Sequence, residues 1–259
     1  MKTLELFQLR ERIALVSGGA GIVGKYLVRG LAEAGATVIV ASRGYASCEV
    51  VAAEMQADDL AVFPERCDFT SELEIRALRQ RLLGRYGHID VLFNNAVARS
   101  GGELMDTKME EWESVMALNS TGLFLSCQLF GEVMMTRKSG SIVNVASIYG
   151  MVGPDFSLYE GTPVHNSVSY AYAKGGMINL TRYLASFLAP HGVRVNTLSP
   201  GGVLAGQPER FIENYNKRVP MGRLANGADL QGAAVFLASD ASAYITGQNI
   251  AVDGGWTAI

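Results

Sequence analysis

The sequence predicts a doubly wound α/β fold, with one parallel sheet of about seven strands and helices on both faces. Three observations lead there. Short Val- and Ile-rich runs alternate with longer segments of helical periodicity; the first run breaks into a glycine-rich turn; and polar residues of chemical interest stand where the runs end.

The runs lie around 12–17, 36–41, 60–66, 89–94, 141–146, 193–198 and 249–252, bounded by Gly, Asp, Asn or Pro. Apolar runs this short read as strands buried on both faces, the condition of a parallel sheet. Between them, near 22–34, 46–57, 71–86, 109–137, 167–189 and 227–239, apolar residues recur with a helical period. Repeated strand–helix units imply right-handed crossovers and put ligands outside the carboxyl ends of the strands. No linker composition, repeat or low-complexity tract divides residues 1–259, so a single domain is expected. Two stretches, about 148–167 and 200–226, read as long irregular loops, which usually close over a ligand or are disordered.

With 259 residues, 49% of them hydrophobic and 18% charged, the chain can fill the core of one large domain. Its 22 Lys and Arg against 25 Asp and Glu include no basic block, so no nucleic-acid partner is expected. No apolar run approaches the ~18 residues of a membrane span. The first residues, Met1 to Leu6, are soon followed by Arg10, Glu11 and Arg12, which does not read as a signal peptide, and a cytoplasmic protein is expected. Cys48, Cys67 and Cys127 read as reduced packing residues; neither they nor His88, His165 and His191 cluster like metal ligands. The sequons at Asn119 and Asn179 are discounted for a chain that stays inside the cell.

The glycine turn Ser17-Gly18-Gly19-Ala20-Gly21-Ile22-Val23-Gly24 follows the run Ile13–Val16 and precedes an apolar-periodic segment. Strand, glycine turn and helix together are the context a dinucleotide-phosphate site requires. Farther on, Ser169-Tyr170-Ala171-Tyr172-Ala173-Lys174 sets a phenol and an ammonium four residues apart in a helical segment, on one face, with Tyr172 turned away. A phenol ionises near pH ~10, so it serves as a neutral-pH acid or base only where a positive charge favours the phenolate. Lys174 can supply that charge.

Taken together, the motifs resemble the compact branch of the short-chain dehydrogenase/reductase family, over nearly the whole chain. They comprise Asn94-Asn95-Ala96 after the fourth strand, Asn119, Ser147, Tyr170 with Lys174, Pro200-Gly201, Ile245-Thr246-Gly247-Gln248, and the terminal Val252-Asp253-Gly254-Gly255. The resemblance implies a Rossmann-type fold and an NAD(P)-dependent enzyme acting on alcohol and carbonyl groups. It makes Tyr170 the proton exchanger and Lys174 its charged support. Ser147 would hold the substrate oxygen, and Asn119 a water linking Lys174 to solvent.

The same resemblance assigns the cofactor residues. Gly18, Gly21, Ile22 and Val23 would meet the pyrophosphate at a helix N-terminus. Asp68 and Phe69 would border the adenine, Asn95 and Ala96 the adenosine ribose, and Pro200, Gly201 and Val203 the nicotinamide side. Ile22 departs from the pattern. The compact branch has glycine there, and Gly18-x-x-Gly21-x-x-Gly24 is similar to the extended branch, which acts largely on nucleotide sugars. Val97 and Ala205 also replace a common glycine and threonine. At the end of the second strand, Ser42-Arg43 offers no carboxylate to two ribose hydroxyls but a cation to a 2'-phosphate, so NADP(H) is favoured over NAD(H).

Between Ser147 and Tyr170 the chain is longer than is usual for the family. Phe156, Tyr159, Glu160 and His165 of this insertion, with Thr162 and Asn166, mix aromatic faces with hydrogen-bonding groups. Such a mixture suits a sugar, sugar acid or polyol better than an acyl chain, and the segment resembles that of gluconate 5-dehydrogenase-like members. Gln207, Pro208, Phe211 and Tyr215 are expected to cap the nicotinamide side. A nucleotide-sugar epimerase or dehydratase retaining its cofactor, a 3-oxoacyl reductase and a non-catalytic cofactor sensor are the alternatives. By the same resemblance, the segments 109–137 and 167–189 would pair copies into a homotetramer.

Overall fold

The computed structural model describes residues 2–259. Seven strands run β1 (Ile13–Ser17), β2 (Thr37–Ser42), β3 (Val62–Arg66), β4 (Val91–Asn94), β5 (Gly140–Val145), β6 (Val193–Pro200) and β7 (Asn249–Val252). They form one parallel sheet in the order β3-β2-β1-β4-β5-β6-β7. The order reverses between β1 and β4, and a crevice opens beyond the carboxyl ends at such a reversal.

The helices are α1 (Ile22–Glu33), α2 (Tyr45–Gln56), α3 (Glu72–Tyr86), α4 (Met109–Met116), α5 (Leu123–Arg137), α6 (Val168–Leu188), α7 (Glu209–Arg218) and α8 (Gln231–Ala238). Alternation along the strands sorts them into two layers. Ile13 and Leu15 of β1 pack with Leu78 of α3, Phe130 of α5 and Leu184 of α6. Ala14 and Val16, on the other face, pack with Leu31 of α1, Val51 of α2 and Leu237 of α8. Both faces of the sheet are therefore covered, which explains why its strands read as continuous apolar runs.

Two segments differ from expectation. The helix expected over 109–137 is broken by a π-helical turn, Ala117–Gly122, between α4 and α5. Such turns insert an extra residue and are frequent at functional sites; this one carries Asn119. The stretch 200–226, expected to be irregular, contains α7. Its sequence, Glu-Arg-Phe-Ile-Glu-Asn-Tyr-Asn-Lys-Arg, buries only Phe211 and Tyr215, one turn apart, and that single short stripe hid the helix. These two rings join Ile148, Leu158, Val219, Leu224 and Trp256 in a third cluster, outside the sheet's two layers.

Candidate active site

The glycine turn is built by backbone contacts. Gly18 has φ 62°, and its N–H donates to Ala41 O at 2.7 Å. Asn95 Nδ2 donates to Gly18 O at 2.9 Å, while Ser17 Oγ accepts from the Asn95 and Ala96 N–H groups at 3.0 and 3.1 Å. A Cβ on Gly18 would stand 2.7 Å from Ala96 Cα, and one on Gly24 only 2.2 Å from Gly18 O. Gly21, at the N-cap of α1, offers no side-chain cap, so the first amides of the helix lack a partner from that residue. Gly18, Gly21, Ile22 and Val23 border a cavity of about 710 Å³. An uncapped helix start beside a glycine cradle fits a dinucleotide's pyrophosphate. Ile22, 54% exposed, stands where the compact pattern has glycine.

Helix α6 brings Tyr170 and Lys174 to this cavity. Tyr170 and Lys174 are both buried, and Lys174 Nζ lies 5.6 Å from the Tyr170 ring centre. Tyr172 faces away and packs on Trp112 at 5.2 Å between ring centres. Lys174 donates to Val145 O, at the end of β5. Burial, followed by the charge of Arg99, pulls the Lys174 ammonium down to about 7. Ser147 follows β5 directly, lines the cavity and accepts from Tyr149 N at 3.2 Å. A buried polar chain locks α6 against the strands. Ser126 Oγ donates to Asn94 Oδ1 at 2.8 Å, Asn94 Nδ2 to Asn144 Oδ1 at 2.9 Å, and Asn144 Nδ2 to Thr181 Oγ1 at 2.9 Å.

Asn119 is buried in the π-turn, where its amide spans the backbone of Ala98. It accepts from Ala98 N at 2.8 Å and donates to Ala98 O at 2.9 Å. The side chain thus fixes the segment between β4 and α4, a connection the sequence reading did not anticipate.

The cofactor residues expected at the other strand ends are spread differently. Ser42, Asn95, Pro200, Gly201 and Val203 line the cavity. Ala96 packs against the core beside them. Arg43 is exposed beyond the lining, and it helps to hold the carboxyl of Asp68 below the usual range. Burial works against that shift, but hydrogen bonds from Thr70 N and Oγ1, with the charges of Arg43 and Arg66, outweigh it. Ser71, not Asp68, caps α3. Phe69, in the connection between β3 and α3, is buried in the core cluster and stands outside the cavity lining, because an aromatic ring gains more from apolar contacts.

The insertion is divided. Tyr159, Val164, His165 and Asn166 line the cavity. Phe156 and Glu160, expected beside the substrate, are exposed and stand outside that lining. The short turn Phe156–Tyr159 buries Leu158 and faces those neighbours to solvent. Tyr159 OH shares a hydrogen bond of 2.8 Å with Tyr149 OH and accepts from Asn166 Nδ2 at 3.2 Å. Burial keeps both phenols protonated. Asn166 Oδ1 is buried with no partner. Below, α7 is anchored by Tyr215 OH, which accepts from Gly202 N at 2.7 Å. Gln207 and Phe211 line the cavity from the same side; Gln207 accepts from Ala205 N and donates to Val203 O, both at 2.7 Å.

Arg99 was not foreseen. It lines the cavity beyond β4, donates to Tyr170 OH at 3.3 Å and stacks on the Tyr170 ring at 4.8 Å. Its position after a central strand was the available signal, but a lone loop arginine is ordinarily solvated. The cysteines are free and buried; burial pushes the Cys67 and Cys127 thiols up to about 12. Among the described residues no helix is long and apolar enough to cross a membrane.

Known proteins share this architecture. The family model described as enoyl-(acyl carrier protein) reductase matches residues 19–257. Cis-4-hydroxycyclohexanecarboxylate dehydrogenase of Sinomonas cyclohexanicum is 37% identical over 254 residues, 96% of this chain and 98% of that one. The 3-oxoacyl-acyl-carrier-protein reductase of Thermotoga maritima is 32% identical, over 96% and 98% of the two chains. A gluconate 5-dehydrogenase from Burkholderia cenocepacia, solved with NADP and tartrate, is 30% identical, covers 100% of both chains and superposes with a TM-score of 0.91. The cradle, the sheet order and these relatives together make the chain a member of the short-chain dehydrogenase/reductase family, an oxidoreductase of alcohol and carbonyl groups.

Proposed function

We propose that this chain is an NADP(H)-dependent enzyme that interconverts an alcohol and a carbonyl on a sugar, sugar acid or polyol, with Tyr170 as acid and base. The observation that carries the reading is the meeting of Ser147, Tyr170 and Lys174 on one cavity bordered by the glycine cradle. The cradle and the first turn of α1 would hold the pyrophosphate, Asn95 and Ala96 the adenosine ribose, and Asp68 with the Phe69 backbone the adenine. Pro200, Gly201 and Val203 would hold the nicotinamide side, and Ser42 and Arg43 the 2'-phosphate. Bound there, the nucleotide supplies or accepts the hydride.

The chain's own residues do the rest. Ser147 Oγ holds the substrate oxygen, and Tyr170 OH passes it a proton in reduction or removes one in oxidation. Lys174, beside the Tyr170 ring, places positive charge where the oxygen anion forms. Asn119 contributes by holding the Ala98 backbone, and with it the wall opposite α6. Tyr149, Tyr159 and Asn166 present hydroxyl and amide groups that suit a polyhydroxylated ligand, and Asn166 Oδ1 wants a donor. The gluconate 5-dehydrogenase relative favours the same substrate class.

The Thermotoga maritima relative supports a second reading, 3-oxoacyl reduction, which the polar insertion opposes. The first reading also takes residues 1–259 as one nucleotide-binding domain, working as a cytoplasmic homotetramer. Titration of the protein with NADPH and NADH, followed by reduced-cofactor absorbance on sugar acids, polyols and a 3-oxoacyl thioester, tests it. NADPH is expected to bind at least about tenfold tighter, with Arg43→Glu reversing the order. Turnover of the thioester alone would decide for the second reading.

A further inference from the structure

We propose that Arg99 is the substrate-anchoring residue of this enzyme and selects a carboxylate-bearing substrate over its neutral counterparts. The inference rests on the proposed alcohol–carbonyl chemistry and narrows it to hydroxy acids and keto acids.

The cavity contains no acidic side chain. Its lining carries Arg99, Lys174 and His165, and not one Asp or Glu. Lys174 is buried and committed to Val145 O and the reacting phenol. The amides at the start of α1 lie at the cradle end and suit the nucleotide's phosphates. Arg99 is different. It stands at the phenol end and is exposed to the cavity mouth. Among the described residues, no carboxylate lies within ion-pairing distance of it.

A guanidinium carries five N–H donors in a planar fork. Arg99 spends one of them on Tyr170 OH at 3.3 Å, a long contact. The others are open to a partner that approaches Tyr170 from the cavity. The planar fork matches a carboxylate with two parallel bonds, which a lone hydroxyl cannot reproduce. Repulsion relieved is a further gain, because Arg99 and Lys174 share the phenol without a counter-charge between them, and Arg99 contributes to the low pKa of Lys174. An anion seated on Arg99 would lessen that repulsion. Arg99 is held in reach of the phenol by its ring stacking, and the preceding Ala98 backbone is clamped by Asn119. The fork is therefore placed close to where the carbinol must sit, so carboxylate and reacting carbon belong to one small molecule. A neutral thioester or alditol makes no use of this charge.

The test is equilibrium binding to the NADPH-loaded enzyme of paired probes: gluconate with gluconamide, tartrate with its diamide, and cis-4-hydroxycyclohexanecarboxylate with its carboxamide. At least one acid is expected to bind about tenfold or more tightly than its amide, a preference that added salt reduces. Arg99→Gln should erase the preference while leaving NADPH affinity unchanged, and Arg99→Lys should restore part of it. If no acid binds better than its amide, or if the preference survives in Arg99→Gln, the proposal is wrong. Equal loss of acid and amide in Arg99→Gln would equally overturn it, since Arg99 would then act through Tyr170. Failure of NADPH to bind the wild-type protein would instead defeat the proposed function itself.

Discussion

Lys174 is the residue where burial and chemistry meet most directly. Its ammonium is enclosed by protein and pulled down to about 7, against 10.5 for a free lysine, by desolvation and then by Arg99. A base with a lowered folded-state pKa costs the fold stability wherever it must be charged, so the penalty is complete below about pH 7 and fades above it. Between the two values the unfolded chain binds the extra proton. The cofactor-free protein should therefore gain stability with rising pH, by up to about 1.4 kcal/mol per pH unit over this range, relative to Lys174→Met. Urea unfolding of the two proteins across that range checks the difference; parallel profiles would show that the ammonium is not desolvated. Tyr170 and Lys174 were legible in the sequence because a helix puts positions four apart on one face. Arg99 was not, because its partner lies in a segment distant along the chain, and no spacing records that.

At the scale of elements, the glycine turn separates two uses of the same residue type. Gly24 lets α1 lie against the turn, and a Cβ there would meet Gly18 O at 2.2 Å and Gly19 Cα at 2.7 Å. Gly21 meets only Gly18 O, at 3.2 Å, and borders the cavity. Gly24→Ala is therefore expected to destabilise the fold by about 2 kcal/mol or more. Gly21→Ala should stay within about 1 kcal/mol of wild type but bind NADPH about tenfold more weakly. Thermal unfolding together with cofactor titration distinguishes them, and equal effects in both variants would contradict the assignment. The five inner strands were readable because a sheet covered on both faces writes short continuous apolar runs into the sequence. The π-turn at Asn119 and helix α7 were hidden for opposite reasons. The first keeps helical periodicity on either side of its extra residue; the second is mostly polar and sets only Phe211 and Tyr215 on its buried face.

The whole molecule leaves aromatic surface uncovered on α5 and α6. Phe124, Tyr183 and Phe187 are 47%, 67% and 55% exposed, and Tyr183 and Phe187 lie parallel at 6.4 Å. Aromatic faces on neighbouring helices are what a symmetric subunit contact would bury. Light scattering is expected to give a tetramer, and Phe187→Glu to shift it towards smaller species by placing a charge in that contact. A wild-type monomer would refute this assembly. The third apolar cluster acts at the same scale. It ties the insertion, through Leu158, to α7 and Trp256, so that insertion and carboxyl-terminal segment share one apolar cluster. The sequence marked the insertion by its length, but which of its side chains face inward was set by packing against α7.

Substitution of the phenol tests the central claim most directly, with cofactor binding and turnover measured on the same preparation. Tyr170→Phe is expected to bind NADPH with wild-type affinity while turnover falls by at least about a thousandfold, since only the exchanging proton is removed. Turnover within a few-fold of wild type would contradict the role given to Tyr170.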